Sequence, residues 1–162
     1  NYAHGNQPIQ HMIYLYGYSG QPWKTQYWIR EVMDKLYNAH PDGYCGDEDN
    51  GQTSAWYVFS AMGFYPVCPA SGEFAVGTPL FKHVKVNMPS GKSFTVNAPE
   101  NSNDNFYIRS MKVNGLEQTR TWLTYKELAD GASVDFDMCS TPVTDRGTAV
   151  SDRPYSFSKE SK

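Results

Sequence analysis

At Pro69 the apolar periodicity of this chain changes, and that break constrains the fold more than any single motif. Before it, apolar residues recur at helical spacing. Ile9, Ile13 and Tyr16 mark one segment; Ile29, Met33 and Leu36 mark a second, which opens with Pro22 at the first helical position, where a missing N–H costs nothing. A third helix is predicted from Gln52 to Met62, with Ala55, Phe59 and Met62 as its apolar stripe, Thr53 and Ser54 near its start, and Gly63 and Pro66 as its stop. After Pro69 the period is two. Residues 83–88, 93–96, 107–113 and 133–138 alternate as half-buried antiparallel strands do, with turns at Pro89-Ser90-Gly91-Lys92 and Asn114-Gly115. The expected fold is α+β: helices over 1–69, an antiparallel β region forming a small sandwich over 70–140, and a polar tail over 141–162. With no period of its own, that tail is expected to lie extended or disordered.

Composition excludes several classes of function. At 162 residues, 40% hydrophobic and 15% aromatic, the chain has enough apolar material for a packed core. A net charge of -3 with no Lys/Arg-rich run removes the basic footprint of a nucleic-acid binder. No apolar run approaches the roughly 18 to 20 residues of a membrane span, and the N-terminus has no signal-peptide pattern. The chain begins Asn-Tyr-Ala-His without Met, which is expected of a processed product or a piece of something longer. Cys45, Cys68 and Cys139 are too few for a disulfide framework and form no C-x-x-C zinc spacing, so they read as free thiols, with one pair at most.

The chemistry concentrates in Gly43-Tyr44-Cys45-Gly46-Asp47-Glu48-Asp49-Asn50-Gly51-Gln52, where three consecutive acids precede the third helix. Crowded carboxylates raise one another's pKa, so such a cluster suits a cation, a helix N-terminus or a proton-transfer task. It is not an EF-hand: counted from Asp47, Gly51 stands fifth and Val58 twelfth, where that loop needs Gly sixth and Glu twelfth. Helix capping accounts for one acid, while three cost mutual repulsion. Capping and a cation or catalytic role both stand on the residues alone. In an extended loop Asp47 and Asp49 point to one side and can share a water or an ion.

A second candidate is Ala3-His4-Gly5-Asn6-Gln7-Pro8, whose amides offer carbonyl oxygens to a hard cation such as calcium; Asn6 as a helix cap is the simpler reading of that segment by itself. Trp23, Trp28, Trp56 and Tyr57 are candidates for stacking on sugar faces, although aromatics at helical spacing are mostly core. His11 and His40 carry no partner pattern and read as helix-surface or core residues.

Three long ordered motifs occur together: His4-Gly5-Asn6-Gln7-Pro8, the run from Tyr14 through Gly20-Gln21-Pro22-Trp23-Lys24-Thr25-Gln26, and the run from Asp42 through the acidic loop to Pro66-Val67. They closely resemble the C-terminal region of glycoside hydrolase family 92 α-mannosidases, and the likeness continues through Val76-Gly77-Thr78-Pro79-Leu80-Phe81 to Asn114-Gly115. The resemblance implies an exo-acting, calcium-dependent, inverting α-mannosidase, with α-1,2 linkages as the expected substrate and N-glycan or mannan degradation as its setting. It implies an N-terminal β-sandwich joined to an (α/α)6 barrel, of which this chain would supply the last helices and the C-terminal strands. Asp49 matches the general base, with Asp47 as its catalytic neighbour; Asn6, Gln7 and Asp49 match calcium ligands; His4, Trp23 and Glu48 match substrate contacts. The general acid is a glutamate upstream of this chain's first residue, so the isolated chain is expected to be inactive.

Two departures from the pattern bear on the site: family members usually carry Glu at Gln7 and often Asn at Asp47. The implied partners are a mannose-containing glycan and the remaining domains of a longer parent. The implied location is the periplasm, the cell surface or the medium of bacteria that degrade mannans. A competing expectation is a non-catalytic carbohydrate-binding sandwich built from the strands after Pro69, with Tyr107 and Trp122 as its aromatics.

Overall fold

The computed structural model describes residues 2–159. Its helices are α1 (Leu15–Tyr18), α2 (Pro22–Leu36), α3 (Gln52–Met62) and α4 (Tyr125–Asp130). Two sheets follow. One holds three strands in the order β1 (Phe64–Tyr65), β2 (Glu73–Val76), β7 (Trp122–Thr124). The other holds five in the order β3 (His83–Asn87), β4 (Ser93–Asn97), β8 (Ser133–Cys139), β5 (Tyr107–Val113), β6 (Leu116–Gln118).

The helix starts and stops obey local chemistry. Pro22 opens α2, whose buried stripe includes Ile29, Val32 and Met33, and Gly63 closes α3 at φ 104, a conformation that a Cβ disfavours. The buried stripe of α3 differs from the expected Ala55, Phe59 and Met62: Thr53, Trp56, Ser60 and Ala61 are the buried positions. Half-covered Phe59 packs against both cores of the molecule, and the Tyr14 hydroxyl bonds the buried Ser60 at 2.8 Å. The first predicted helix is instead two 3-10 turns, Gln7–Ile9 and Met12–Tyr14, running into the single turn of α1.

Four of the expected strands form. The pairing is not wholly antiparallel, because β4 lies parallel to β8. The turn at Asn114-Gly115 joins β5 to β6 with φ of 52° and 79°, the left-handed pair that a two-residue hairpin demands.

Alternation along β1 and β2 partitions the interior. Phe64 and Val76 face a core made mostly of Val96, Ile108, Met111, Val134 and Phe136, while Tyr65 and Ala75 face a helical core around Tyr14, Ile29 and Trp56. Each large apolar side chain fully buried there contributes roughly 1.5–3 kcal/mol. The three-stranded sheet is therefore a shared wall, and polar groups of α2 stitch across it: Gln26 Oε1 accepts from the Ile108 N–H at 3.1 Å, and Arg30 donates to Asn101 Oδ1.

The polar segment after residue 140 is not free over its described part. Asp152 accepts from the Thr121 N–H at 2.7 Å, Arg146 donates to the carbonyls of Gln118 and Arg120, and the Tyr155 N–H meets Glu73 at 2.6 Å. Main-chain groups and the Arg146 guanidinium make these bonds, so the segment is held without an apolar period. No helix of the described residues is long and apolar enough to cross a membrane.

Candidate functional site

The two segments singled out in the sequence meet. Gly5 and Gly46 pack backbone to backbone: a Cβ on Gly46 would lie 2.5 Å from the Gly5 carbonyl oxygen, and one on Gly5 would lie 2.7 Å from that of Cys45. No side chain fits at that crossing. Beside it, Gln7 donates from Nε2 to the Asp47 carbonyl at 2.8 Å, and Thr53 Oγ1 donates to the same oxygen at 3.0 Å.

The acidic loop ends in a tight left-handed turn from Asp49 onward. Asp49, Asn50 and Gly51 have φ of 49°, 59° and 91°, and Gly51 is the N-cap of α3. Asp and Asn are the non-glycine residues that tolerate this region best. The same-side alternation expected of Asp47 and Asp49 therefore has no extended backbone to rest on. Both are exposed, and neither carboxylate has a described hydrogen bond or ion pair.

Glu48 behaves differently. Its Oε1 accepts from the Ser54 N–H at 3.2 Å, on the third residue of α3, while its Oε2 is buried without a partner. One of the three acids is thus the helix cap and two are left to solvent. Asn6 stands at the N-cap of the 7–9 turn, yet its side chain makes no capping bond, so its amide oxygen is uncommitted.

His4 lies in the core, 2% exposed. Its Nδ1 is 2.6 Å from the Tyr2 hydroxyl, its Nε2 is 2.7 Å from the Tyr37 hydroxyl, and its ring sits edge-on to Trp56 at 4.3 Å. Tyr37 also reaches the Thr53 carbonyl at 3.3 Å and Tyr2 the Gln10 carbonyl at 3.4 Å, so each hydroxyl has a second acceptor and either neutral tautomer of His4 is satisfied. Burial pushes the His4 pKa down to about 4 and raises those of Tyr2 and Tyr37. With both nitrogens engaged, His4 has no atom to offer a sugar in this chain; it fixes the first loop against α3. Trp23 is half-buried at the start of α2 and shares no described contact with the acidic loop.

The hub that joins the two segments, Gln10, is not legible in the sequence. Fully buried, it donates to the His4 carbonyl and to Thr53 Oγ1, receives Trp56 Nε1 on its own carbonyl at 3.1 Å, and receives Gln52 on its side-chain oxygen at 3.4 Å. A glutamine in an apolar-looking turn carries no pattern that would have marked it.

Among the described residues no three His, Cys, Asp or Glu side chains converge as a metal would need. The uncommitted oxygens of Asn6, Gln7 and Asp49 nonetheless suit calcium in kind, all hard and all on two loops pinned together, but three ligands are fewer than the roughly six to eight the ion takes. Of the candidate sugar-stacking aromatics, Trp56 is fully buried and Trp28 is 42% exposed. In the β region Tyr107 is buried and the Trp122 ring has the Arg120 guanidinium over it at 4.5 Å, so neither offers a bare face. All three cysteines are free.

The glycosyl hydrolase family 92 catalytic domain matches residues 1–140. A solved inverting mannosidase of that family from Bacteroides thetaiotaomicron VPI-5482 is 62% identical, the match covering 97% of this chain and 21% of that one with a TM-score of 0.91. A family 92 α-mannosidase from Bacteroides thetaiotaomicron, solved in complex with mannoimidazole, is 39% identical over 95% of this chain and 20% of its own, again at a TM-score of 0.91. A curated relative, an uncharacterized secreted glycosidase of Arthroderma benhamiae, is 27% identical over 156 residues, 94% of this chain and 20% of its own length. The chain spans about a fifth of the length of these relatives. It has their mixed helix-and-sheet fold over nearly its whole length, and it belongs to glycosyl hydrolase family 92.

Proposed function

We propose that this chain is the base-bearing, C-terminal part of a longer, calcium-dependent, inverting exo-α-mannosidase that removes terminal α-linked mannose, with α-1,2 linkages the expected substrate. One observation carries the reading: over 97% of its length the chain is 62% identical to an inverting mannosidase. Residues 1–69 then contribute the terminal helices of the catalytic barrel and 70–140 a β region packed on them. The described part of 141–162 straps the two together.

In this reading Asp49 is the general base. Its exposed, unpaired carboxylate takes a proton from water as the water oxygen attacks the anomeric carbon; the C–O bond to the leaving group breaks, and that oxygen takes a proton from an acid elsewhere in the parent. Inversion needs about 6.5 to 9.5 Å between the two carboxyls, room for the water. Asp47 sits beside the base and sets the local field. Asn6, Gln7 and Asp49 would hold calcium, which supplies electrostatic grip on the sugar's 2- and 3-hydroxyls when bound. Glu48 and His4 act by fixing the loop, and Trp23 is left as a contact of the wider substrate.

A secreted setting agrees with the secreted curated relative, and a periplasmic one belongs to the proposal alone. The test is hydrolysis of an α-mannoside by the parent enzyme with calcium and with chelator, following the anomer first released by proton NMR. β-Mannose, formed only with calcium, supports the proposal; α-mannose as first product, or full activity in chelator, overturns it. The chain by itself, without the acid, is expected to give no turnover.

A further inference from the structure

The first main-chain donors of α3, which no helical carbonyl can meet, end on the acidic loop. The Gln52 N–H donates to the Asp49 carbonyl at 3.2 Å, the Thr53 N–H to the Glu48 carbonyl at 3.2 Å, and the Ser54 N–H to the Glu48 carboxylate. Thr53 adds a second bond, from Oγ1 to the Asp47 carbonyl at 3.0 Å. Fully buried, it therefore grips the two peptide groups that lead into Asp49, while Gln52 holds the one that leaves it.

Gln10 sets the polarity of this grip. Its Nε2 faces the His4 carbonyl at 3.1 Å, an atom that can only accept, so the amide hydrogens lie on that side. The same nitrogen is 3.3 Å from Thr53 Oγ1; donation there occupies a hydroxyl lone pair and leaves the hydroxyl proton for the Asp47 carbonyl. Gln7 also donates to that carbonyl, so both of its lone pairs are filled.

The Asp49 carboxylate is exposed and has no described hydrogen bond or ion pair, so the main chain on either side sets its place. Placement matters to a displacement reaction: an error of about 1 Å costs on the order of 100-fold in rate. We propose that Thr53, oriented by Gln10, is the positioning residue of the general base, acting through the Asp47 and Glu48 carbonyls without touching the sugar. The proposal rests on the mannosidase reading above, in which Asp49 is that base.

The experiment measures kcat and KM on an α-mannoside at saturating calcium for Thr53→Val, Thr53→Ala and Thr53→Ser in the parent enzyme, with folding checked by circular dichroism. Val keeps the shape of Thr without the hydroxyl, Ala removes the hydroxyl without crowding, and Ser retains it. In Thr53→Val and Thr53→Ala kcat should fall about ten- to 100-fold with KM within about threefold, and Thr53→Ser should stay within about threefold of wild type. In an Asp49→Asn background Thr53→Val should change kcat by less than about twofold, because no base is left to misplace. Unchanged kcat in Val and Ala, a loss confined to KM, an equal loss in Ser, or the same loss with and without Asp49 would overturn the proposal and leave the mannosidase reading intact. Near-normal turnover by Asp49→Asn alone would overturn the base assignment and the proposal with it, and that control is read first.

Discussion

Gln7 and Asp47, forty positions apart in sequence, are joined by a 2.8 Å hydrogen bond from a side-chain amide to a main-chain carbonyl, and this bond ties together the two loops of the candidate site. An amide is needed for it, because a carboxylate at position 7 has no proton to give and would face the carbonyl oxygen. Gln7→Glu should therefore loosen the loops without a cation and recover with one. The expected result is a fall in unfolding free energy of about 0.5–1.5 kcal/mol in chelator, diminished by calcium. Denaturant titration of the parent with and without the ion measures it, and equal stability of variant and wild type in chelator would contradict the account.

The close crossing of Gly5 and Gly46 allows a sharper test. A methyl group on Gly46 collides with main-chain atoms of Gly5 on a different loop, and main chain gives way less readily than a flexible side chain. Gly46→Ala should separate the loops, costing roughly 1–3 kcal/mol of stability and most of the activity. Thermal unfolding together with kcat/KM would show it; unchanged values for both would mean that the loops do not act as one unit.

Glu48 separates capping from substrate contact. Its Oε1 meets the Ser54 N–H, so Glu48→Ala removes a cap and should cost about 0.5–2 kcal/mol. Glu48→Gln keeps an acceptor oxygen in place and should retain most of that stability. Chemical denaturation of the two variants distinguishes the readings, since a residue acting only on substrate would leave stability unchanged in both.

His4 makes stability depend on pH. Its folded-state pKa of about 4 lies below the ordinary value of 6.5, so the unfolded chain binds more protons between those limits. The contribution is complete above pH 6.5 and falls as pH drops toward 4. It amounts to a few kcal/mol, because each tenfold difference in proton affinity between folded and unfolded chain corresponds to about 1.4 kcal/mol. Urea midpoints from about pH 7.5 to about pH 4.5 should decline, and His4→Gln should flatten the decline; an equal slope in the variant would place its cause elsewhere.

Sequence reading reaches the elements with strong local signals and misses those held by distant partners. Gln52–Met62 and the Asn114-Gly115 hairpin carry their own caps and turn residues. By contrast β1, β2 and β7 are two to four residues long, too short to show a period, and α4 is set by a Thr124–Glu127 capping box that follows a strand without a loop. The parallel pairing of β4 with β8 depends on a crossover that periodicity cannot express. At the site, the loops are visible as motifs. The division of labour among Asp47, Glu48 and Asp49 is not, because it follows from left-handed backbone at Asp49 and Asn50 that turns Glu48 onto the helix and leaves its neighbours in solvent.

That backbone makes one substitution unusually clean. Asn tolerates positive φ at least as well as Asp and nearly matches its shape, so Asp49→Asn removes the carboxylate while leaving the turn unstrained, which Asp49→Ala does not. The deciding measurement is kcat of the Asp49→Asn parent enzyme on an α-mannoside at saturating calcium, with calcium affinity and thermal unfolding measured on the same protein. A fall in kcat on the order of 10²–10⁴ in a protein that stays folded and calcium-loaded is the result expected of a lost general base. Turnover close to wild type would contradict that role and move the base to another residue.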